Sequence, residues 1–260
     1  MDVTVRGYMQ VDVVQAGTGP NLLLLHSLLA DRSSFDRILP ELASRYRVTV
    51  PNLPGYGASA ALAPPVGIED YADWVAEMSA VLQLPPDTAV LGNGLGGFVA
   101  VALAARHGSL FGPLIVADAL PAFPAEAKAP LRALAARVSE QGMAGALDIA
   151  IRRMFPEHYI ASHPAIIEER KRALTAADPA AFSRACLALA ELDLAPRLAV
   201  IANRTLVIVG AEDRTTPPAI ARELAAAIPA ARYVEIPDCG HCPQVEKPQE
   251  LAALIVEFLG

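Results

Sequence analysis

Asp213 and His241 are the residues of this 260-residue chain whose types and placement can do acid–base chemistry. Asp213 ends Leu206-Val207-Ile208-Val209-Gly210-Ala211-Glu212-Asp213, a short apolar strand running into a loop. His241 ends Pro237-Asp238-Cys239-Gly240-His241, the loop after a last strand-like run. An aspartate that accepts the proton-bearing ring nitrogen of a histidine fixes its tautomer and stabilises the imidazolium. The other ring nitrogen then serves as general base and acid. Taken singly, His241 reads as a loop histidine and Asp213 as a turn or capping residue before Thr215-Thr216-Pro217-Pro218. Taken together, each just past a strand, they read as a catalytic pair.

Such a pair needs something to act on, and the place for it is Val90-Leu91-Gly92-Asn93-Gly94-Leu95-Gly96-Gly97. An apolar run at 88–91 reads as a buried strand and 98–105 as the helix after it. Four glycines in six residues between them describe a very sharp strand-to-helix turn. The residue at its apex is Gly94, which has no side chain to act as nucleophile. The amide of Leu95, at the helix start, is suited to hold a developing oxyanion. Ser27 and Leu28, in the loop after the strand Asn21–Leu25, are expected to supply the second amide. The Ser27 side chain is expected on the oxyanion side, away from the histidine, as a turn or capping hydroxyl. His26, Asn93 and Asp118 are expected to line the substrate pocket.

The elements that position these residues alternate strand and helix. Residues 3–5 and 10–15 read as an antiparallel start. The runs 21–25, 47–50, 88–91, 114–117, 205–209 and 232–236 read as buried parallel strands. Helices are expected over 33–42, 68–84, 220–227 and 249–259. From 120 to 201 there is no strand-like run, only Ala-, Arg- and Glu-rich helical stretches broken at Pro156, Pro164 and Pro179. The expectation is therefore an α/β fold with a mostly parallel, doubly wound sheet. Its core is formed by 1–119 and 202–260, with 120–201 inserted as a helical lid.

Composition narrows the function. With 53% hydrophobic and 19% charged residues the chain is globular. A net charge of −7 disfavours nucleic acid and anionic membrane as partners, and runs such as 22–25 are far too short to span a bilayer. No basic and apolar leader is read at the start. Three cysteines, Cys186, Cys239 and Cys242, make no disulfide framework and suit a reducing cytoplasm. Cys239 and Cys242 have C-x-x-C spacing, but a structural zinc needs four ligands, so they read as small buried residues. No metal or cofactor is expected, and a small-molecule substrate is. Arg170, Lys171, Arg172 and Arg184 are candidates to meet an acidic substrate under the lid, or else a solvated helix face. Oligomeric state is left open.

Taken as a set, the pieces resemble the α/β-hydrolase superfamily over essentially the whole chain. They are Leu25-His26-Ser27, Leu53-Pro54-Gly55-Tyr56-Gly57-Ala58-Ser59, the glycine turn, the segment ending at Asp213, and Gly240-His241-Cys242-Pro243-Gln244. The turn matches the superfamily's nucleophile elbow, G-x-S-x-G, and the order elbow, acid, histidine is that of its triad. The 154–179 stretch resembles 3-oxoadipate enol-lactonases and related ester or lactone hydrolases. Asn93 is similar to its counterpart in hydrolases of carbon–carbon bonds. The departure is Gly94, where these families carry serine. Glycine is at ease in the strained, positive-φ elbow and opens space that a water could fill. The resemblance implies a small ester or (enol-)lactone hydrolase with its serine replaced. It leaves open a His–Asp general-base enzyme without a covalent intermediate, acting as a carbon–carbon hydrolase, lyase or cofactor-free oxygenase. A non-catalytic binding protein is the third reading.

Overall fold

The computed structural model describes residues 2–5 and 9–260, which form one eight-stranded sheet with helices on both faces. The strands are β1 (Asp2–Val5), β2 (Met9–Ala16), β3 (Asn21–Leu25), β4 (Arg47–Pro51), β5 (Ala89–Asn93), β6 (Leu114–Ala117), β7 (Thr205–Gly210) and β8 (Arg232–Ile236). They lie in the order 1-2-4-3-5-6-7-8, antiparallel for β1–β2 and β2–β4 and parallel elsewhere. β4 flanks β3 on one side and β5 flanks it on the other. The chain therefore reverses its direction of travel across the sheet between these strands. Such a reversal opens a crevice beyond the carboxyl ends of the two strands. The residues that emerge there are His26-Ser27 from β3 and Gly94 from β5.

The helices are α1 (Leu39–Ala43), α2 (Ile68–Val81), α3 (Leu95–His107), α4 (Ala125–Gln141), α5 (Leu147–Met154), α6 (Glu157–Ser162), α7 (Pro164–Thr175), α8 (Pro179–Glu191), α9 (Pro218–Ala227), α10 (Pro243–Glu246) and α11 (Pro248–Leu259). The strand interiors are apolar on both faces, because each face is covered. Leu22, Leu24, Leu91 and Ile115 pack with Phe35, Ile38, Leu42, Leu251, Ile255 and Phe258. Leu23, Leu25, Val90 and Val116 pack with Trp74, Val75, Phe98 and Val101. α3 is buried along almost its whole length, which explains its all-round apolar sequence.

One expected helix differs. Residues 33–42 are not continuous: a 3₁₀ turn at Arg32–Phe35 is followed by the short α1. Pro40 cannot donate a backbone hydrogen bond and its ring obstructs the preceding turn, so it is accommodated only near a helix start. Phe35, Ile38 and Leu42 are still buried together. The stretch between β6 and β7 carries α4 to α8 with one isolated bridge, Ala122 to Asp193. Pro164 and Pro179 each begin a helix rather than interrupt one.

Candidate active site

The turn from β5 into α3 is made in one residue. Gly94 has φ 55° and ψ −118°, a conformation that side chains strongly disfavour. A Cβ on Gly96 would lie 2.2 Å from the Leu25 carbonyl oxygen, so α3 can start this close to β3 only without a side chain there. Two amides tie the turn in place: Gly94 N–H donates to Ala117 O at 3.0 Å and Gly96 N–H to His26 O at 2.9 Å. The loops after β3, β5 and β6 are thus locked to one another.

His241 and Asp213 meet beside this turn. The His241 Nδ1–H donates to Asp213 Oδ2 at 2.8 Å, and both residues are buried. Asp213 Oδ1 accepts the amides of Thr215 (2.7 Å) and Thr216 (3.0 Å), and Oδ2 also accepts the Thr216 hydroxyl. Burial opposes charge on Asp213. The His241 ring and the Thr216 donors outweigh it and hold the carboxyl below its usual value. His241 itself is pinned by its N–H to Met154 O (2.9 Å). With Nδ1 engaged, Nε2 is the free base, and it faces a narrow cleft. Ser27, Leu28, Gly94 and Leu95 line one side of it; Phe123, Leu131, Leu134, Arg153 and Leu189 line the other.

The sequence between residues 22 and 254 matches the model of the alpha/beta hydrolase family. The chain belongs to the α/β-hydrolase family. It is 33% identical to a pimeloyl-[acyl-carrier protein] methyl ester esterase of Aeromonas hydrophila, over 97% of this chain and all of that one. It is 30% identical to 3-oxoadipate enol-lactonase 2 of Acinetobacter baylyi, over 88% and 85% of the two chains. A thermophilic esterase from Thermogutta terrifontis superposes with a TM-score of 0.91 at 31% identity, covering 100% of this chain and 97% of that one.

Within this α/β-hydrolase frame the site departs from expectation at Ser27. Its hydroxyl does not point away from the histidine: Ser27 Oγ lies 3.4 Å from His241 Nε2. The cause is Gly94. A Cβ there would sit 2.3 Å from Ser27 Oγ, so the hydroxyl stands in the space an elbow side chain would occupy. The space expected to admit a water is taken by a side chain from the neighbouring loop. Sequence spacing carries no signal for this, because it depends on a group that is missing from another strand.

His26, Asn93 and Asp118 were expected on the pocket wall, and none of them is among the residues that line the cleft; all three are fully buried behind it. Asn93 Nδ2 donates to Asp118 Oδ2 (2.9 Å) and to the His241 carbonyl (3.0 Å), and Gln244 Nε2 donates to Asn93 Oδ1 (2.9 Å). Asp118 Oδ1 accepts the Gly210 amide at 2.9 Å. Burial, and then the charge of Asp213, push the Asp118 carboxyl well above its usual range. Two adjacent buried carboxyls cannot both ionise cheaply, so the negative charge is favoured on Asp213, with its histidine and threonine partners, over Asp118. Asp118, Asp213 and His241 offer ligand atoms within 4.8 Å of one another, but the facing atoms of Asp213 and His241 are already hydrogen-bonded together.

His26 holds the β3 loop. Its Nδ1–H donates to Ser27 O (2.8 Å) and its Nε2 accepts Leu53 N–H (2.9 Å), which requires the neutral ring. Burial pushes its pKa down to about 4, with the Ser27 hydrogen bond offsetting only part. The unfolded chain therefore binds more protons at this residue between pH 6.5 and 4. Its stabilisation is complete above pH 6.5 and is lost as pH falls toward 4. Glu246, whose carboxylate accepts Gly240 N–H (2.9 Å) and Cys242 N–H (3.0 Å), is pushed up to about 7 by burial. It contributes the opposite slope between pH 4.5 and 7. The His26 effect is isolated by comparison with His26→Gln. The stability advantage of the parent, measured by urea unfolding, should shrink by about 2–3 kcal/mol from pH 7 to pH 4.5. A constant difference would mean that the His26 ring is not held neutral.

The cleft's cation is not one the sequence suggested. Arg170 is buried against Asp31 (3.7 Å) and Glu169 (2.5 Å), and Lys171 pairs with Asp148 and Glu168. Arg172 and Arg184 do not line the cleft either. Arg153 does, and burial lowers its guanidinium from the usual value despite the nearby Asp213. Its helical phase carries the signal that was missed: Ala150, Ile151 and Met154 are the buried face of α5, and Arg153 lies at its margin. Cys239 and Cys242 are buried free thiols, and burial raises both.

Proposed function

We infer that this protein hydrolyses a small ester or lactone. The observation that carries the reading is a buried, Asp213-oriented His241 whose Nε2 opens onto a small, mostly apolar cleft at the β3/β5 switch point. His241 removes a proton from the attacking oxygen and returns it to the leaving alkoxide, and Asp213 stabilises the imidazolium between the two steps. The amides of Leu95, at the start of α3, and of Ser27 and Leu28 stabilise the oxyanion. The apolar side chains of the helices between β6 and β7, which we take as a lid over a core of 1–119 and 202–260, receive the acyl or ring portion. The apolar walls, Leu28, Phe98, Phe123, Leu131, Leu134 and Leu189, leave little free space between them, which favours short acyl groups and single rings. Among the described residues no helix is long and apolar enough to cross a membrane. Three buried free thiols support a cytoplasmic setting.

The test is a panel of p-nitrophenyl esters from acetate to decanoate together with small lactones. Turnover should be highest at two to four acyl carbons and fall roughly tenfold or more by decanoate, since the longer chain outgrows the cleft. A folded protein inactive on every member would remove the reading. Gly94 itself favours a second reading, in which His241 acts as base on water or a substrate carbon with no covalent intermediate.

A further inference from the structure

We propose that Ser27 is the nucleophile of this site, its hydroxyl having taken the place of the side chain that Gly94 lacks. The proposal rests on the hydrolase reading above and names the attacking atom within it. Ser27 Oγ, His241 and Asp213 form a continuous line: Oγ to Nε2 at 3.4 Å, then Nδ1 to Oδ2 at 2.8 Å. Since Nδ1 carries the proton given to Asp213, Nε2 is the acceptor and Ser27 the donor. Reacting hydrogen bonds are often this long before a substrate is seated and tighten when it is.

Three further observations separate this from a capping or turn hydroxyl. The only hydrogen-bond partner of Ser27 Oγ among the described residues is His241 Nε2; no backbone carbonyl takes it. Its position coincides with the elbow side chain: a Cβ at Gly94 would lie 2.3 Å from Ser27 Oγ and 2.9 Å from Ser27 Cβ. The loop is also held against drifting away. The Ser27 carbonyl accepts from His26 Nδ1 (2.8 Å) and from Ala30 N–H (3.2 Å), and the Leu28 carbonyl accepts the Tyr56 hydroxyl (2.7 Å). A buried hydroxyl, pinned on the wall of an apolar cleft and aimed at an oriented histidine, is the arrangement of an activated nucleophile.

The chemistry balances with water as co-reactant. Ser27 Oγ bonds the ester carbonyl carbon as its proton passes to His241 Nε2, and the carbonyl electron pair becomes the oxyanion. Collapse breaks the carbon–oxygen bond to the leaving alkoxide, which takes the proton from Nε2. Water then attacks the acyl carbon, giving one proton to Nε2; the bond to Ser27 Oγ breaks and Oγ recovers that proton. The product is the carboxylic acid, and for a lactone the alcohol stays tethered to it.

The test uses the full chain and a small alkyl fluorophosphonate, which phosphonylates an activated serine with loss of fluoride. Intact mass should show a single adduct, mapped to tryptic peptide 7–32, in which Ser27 is the sole serine. The adduct should be absent from Ser27→Ala and His241→Ala. Ser27→Ala should lose at least about 100-fold in kcat/KM on p-nitrophenyl acetate. Ser27→Cys should instead accumulate a +42 Da acetyl thioester on the same peptide, about one per chain. A parent that hydrolyses esters with no adduct on this peptide, or a Ser27→Ala variant that keeps its rate, overturns Ser27 and leaves the hydrolase reading standing with water as nucleophile. A Ser27 adduct without ester turnover keeps the activated hydroxyl and removes the hydrolase reading. Neither adduct nor turnover removes both.

Discussion

Asp213→Asn is expected to lower kcat on small esters by roughly 10⁴-fold while leaving the protein folded, and His241→Ala by at least as much. The size of the first effect follows from which oxygen is held by what. Oδ1 of Asp213 accepts two backbone amides, Thr215 N–H and Thr216 N–H. An asparagine must keep its carbonyl oxygen there, so its NH₂ faces His241 Nδ1, where Oδ2 now accepts. An NH₂ opposite Nδ1 forces that nitrogen to be the acceptor and puts the proton on Nε2, and the base is lost in the direction of the cleft. The Thr216 hydroxyl, which donates to Oδ2, can turn to accept from the new amide, so packing is preserved. The check is steady-state kinetics on p-nitrophenyl acetate with circular dichroism as the control for folding. Because the two residues act as one unit, the double variant should be no slower than His241→Ala alone. Additive losses would mean that Asp213 serves something other than the orientation of His241.

Much of this site is legible in the sequence because its parts are local. A strand ends, a loop begins, and the residue at the junction lies at the carboxyl edge of the sheet; Asp213, His241, Gly94 and Leu95 all follow that rule. The sheet reads well for the same reason, since strands buried on both faces are short continuous apolar runs between turn residues. The role of each remaining residue depends on contacts between distant segments. Asn93 and Asp118 sit at strand ends like the others, yet they turn inward to bind the His241 carbonyl and the Gly210 amide. The spacing that places them cannot say which way the side chain turns. Asp118 has φ 54°, which carries its side chain into the buried network. Arg153 reaches the cleft only because α5 ends beside the histidine loop, where Met154 O accepts His241 N–H. The break in 33–42 was the one misread element with a local cause, Pro40, and that was readable.

Ser27 is the sharpest case, and it sets up the second large effect. Gly94→Ser alone is expected not to create an efficient serine hydrolase. The new Cβ would meet Ser27 Oγ at 2.3 Å, Ser27 Cβ at 2.9 Å and His241 Nε2 at 2.9 Å, in a backbone with φ 55°. A rotated Ser27 hydroxyl relieves only the first of these contacts, and Ser27 Cβ is fixed to a loop held by five hydrogen bonds. The single variant should therefore be less stable than the parent by about 1–3 kcal/mol, the usual cost of a side chain in such a conformation. Its rate should fall at least about tenfold below the parent's, because the new Cβ displaces Ser27 Oγ from His241 Nε2. Adding Ser27→Gly removes both Ser27 contacts and returns the space above α3 to the elbow. The double variant Ser27→Gly/Gly94→Ser should exceed Ser27→Gly alone by at least about 100-fold in kcat/KM, because His241, Asp213 and the Leu95 amide are unchanged and only the oxygen has moved. Fluorophosphonate labelling should move with it, from tryptic peptide 7–32 to the peptide that carries position 94. The two substitutions are thus expected to couple strongly, each harmful or neutral alone and productive together. A double variant no faster than Ser27→Gly would show that the elbow is no longer competent for catalysis. A Gly94→Ser single variant that matches the double would show that Ser27 never held the nucleophile's place.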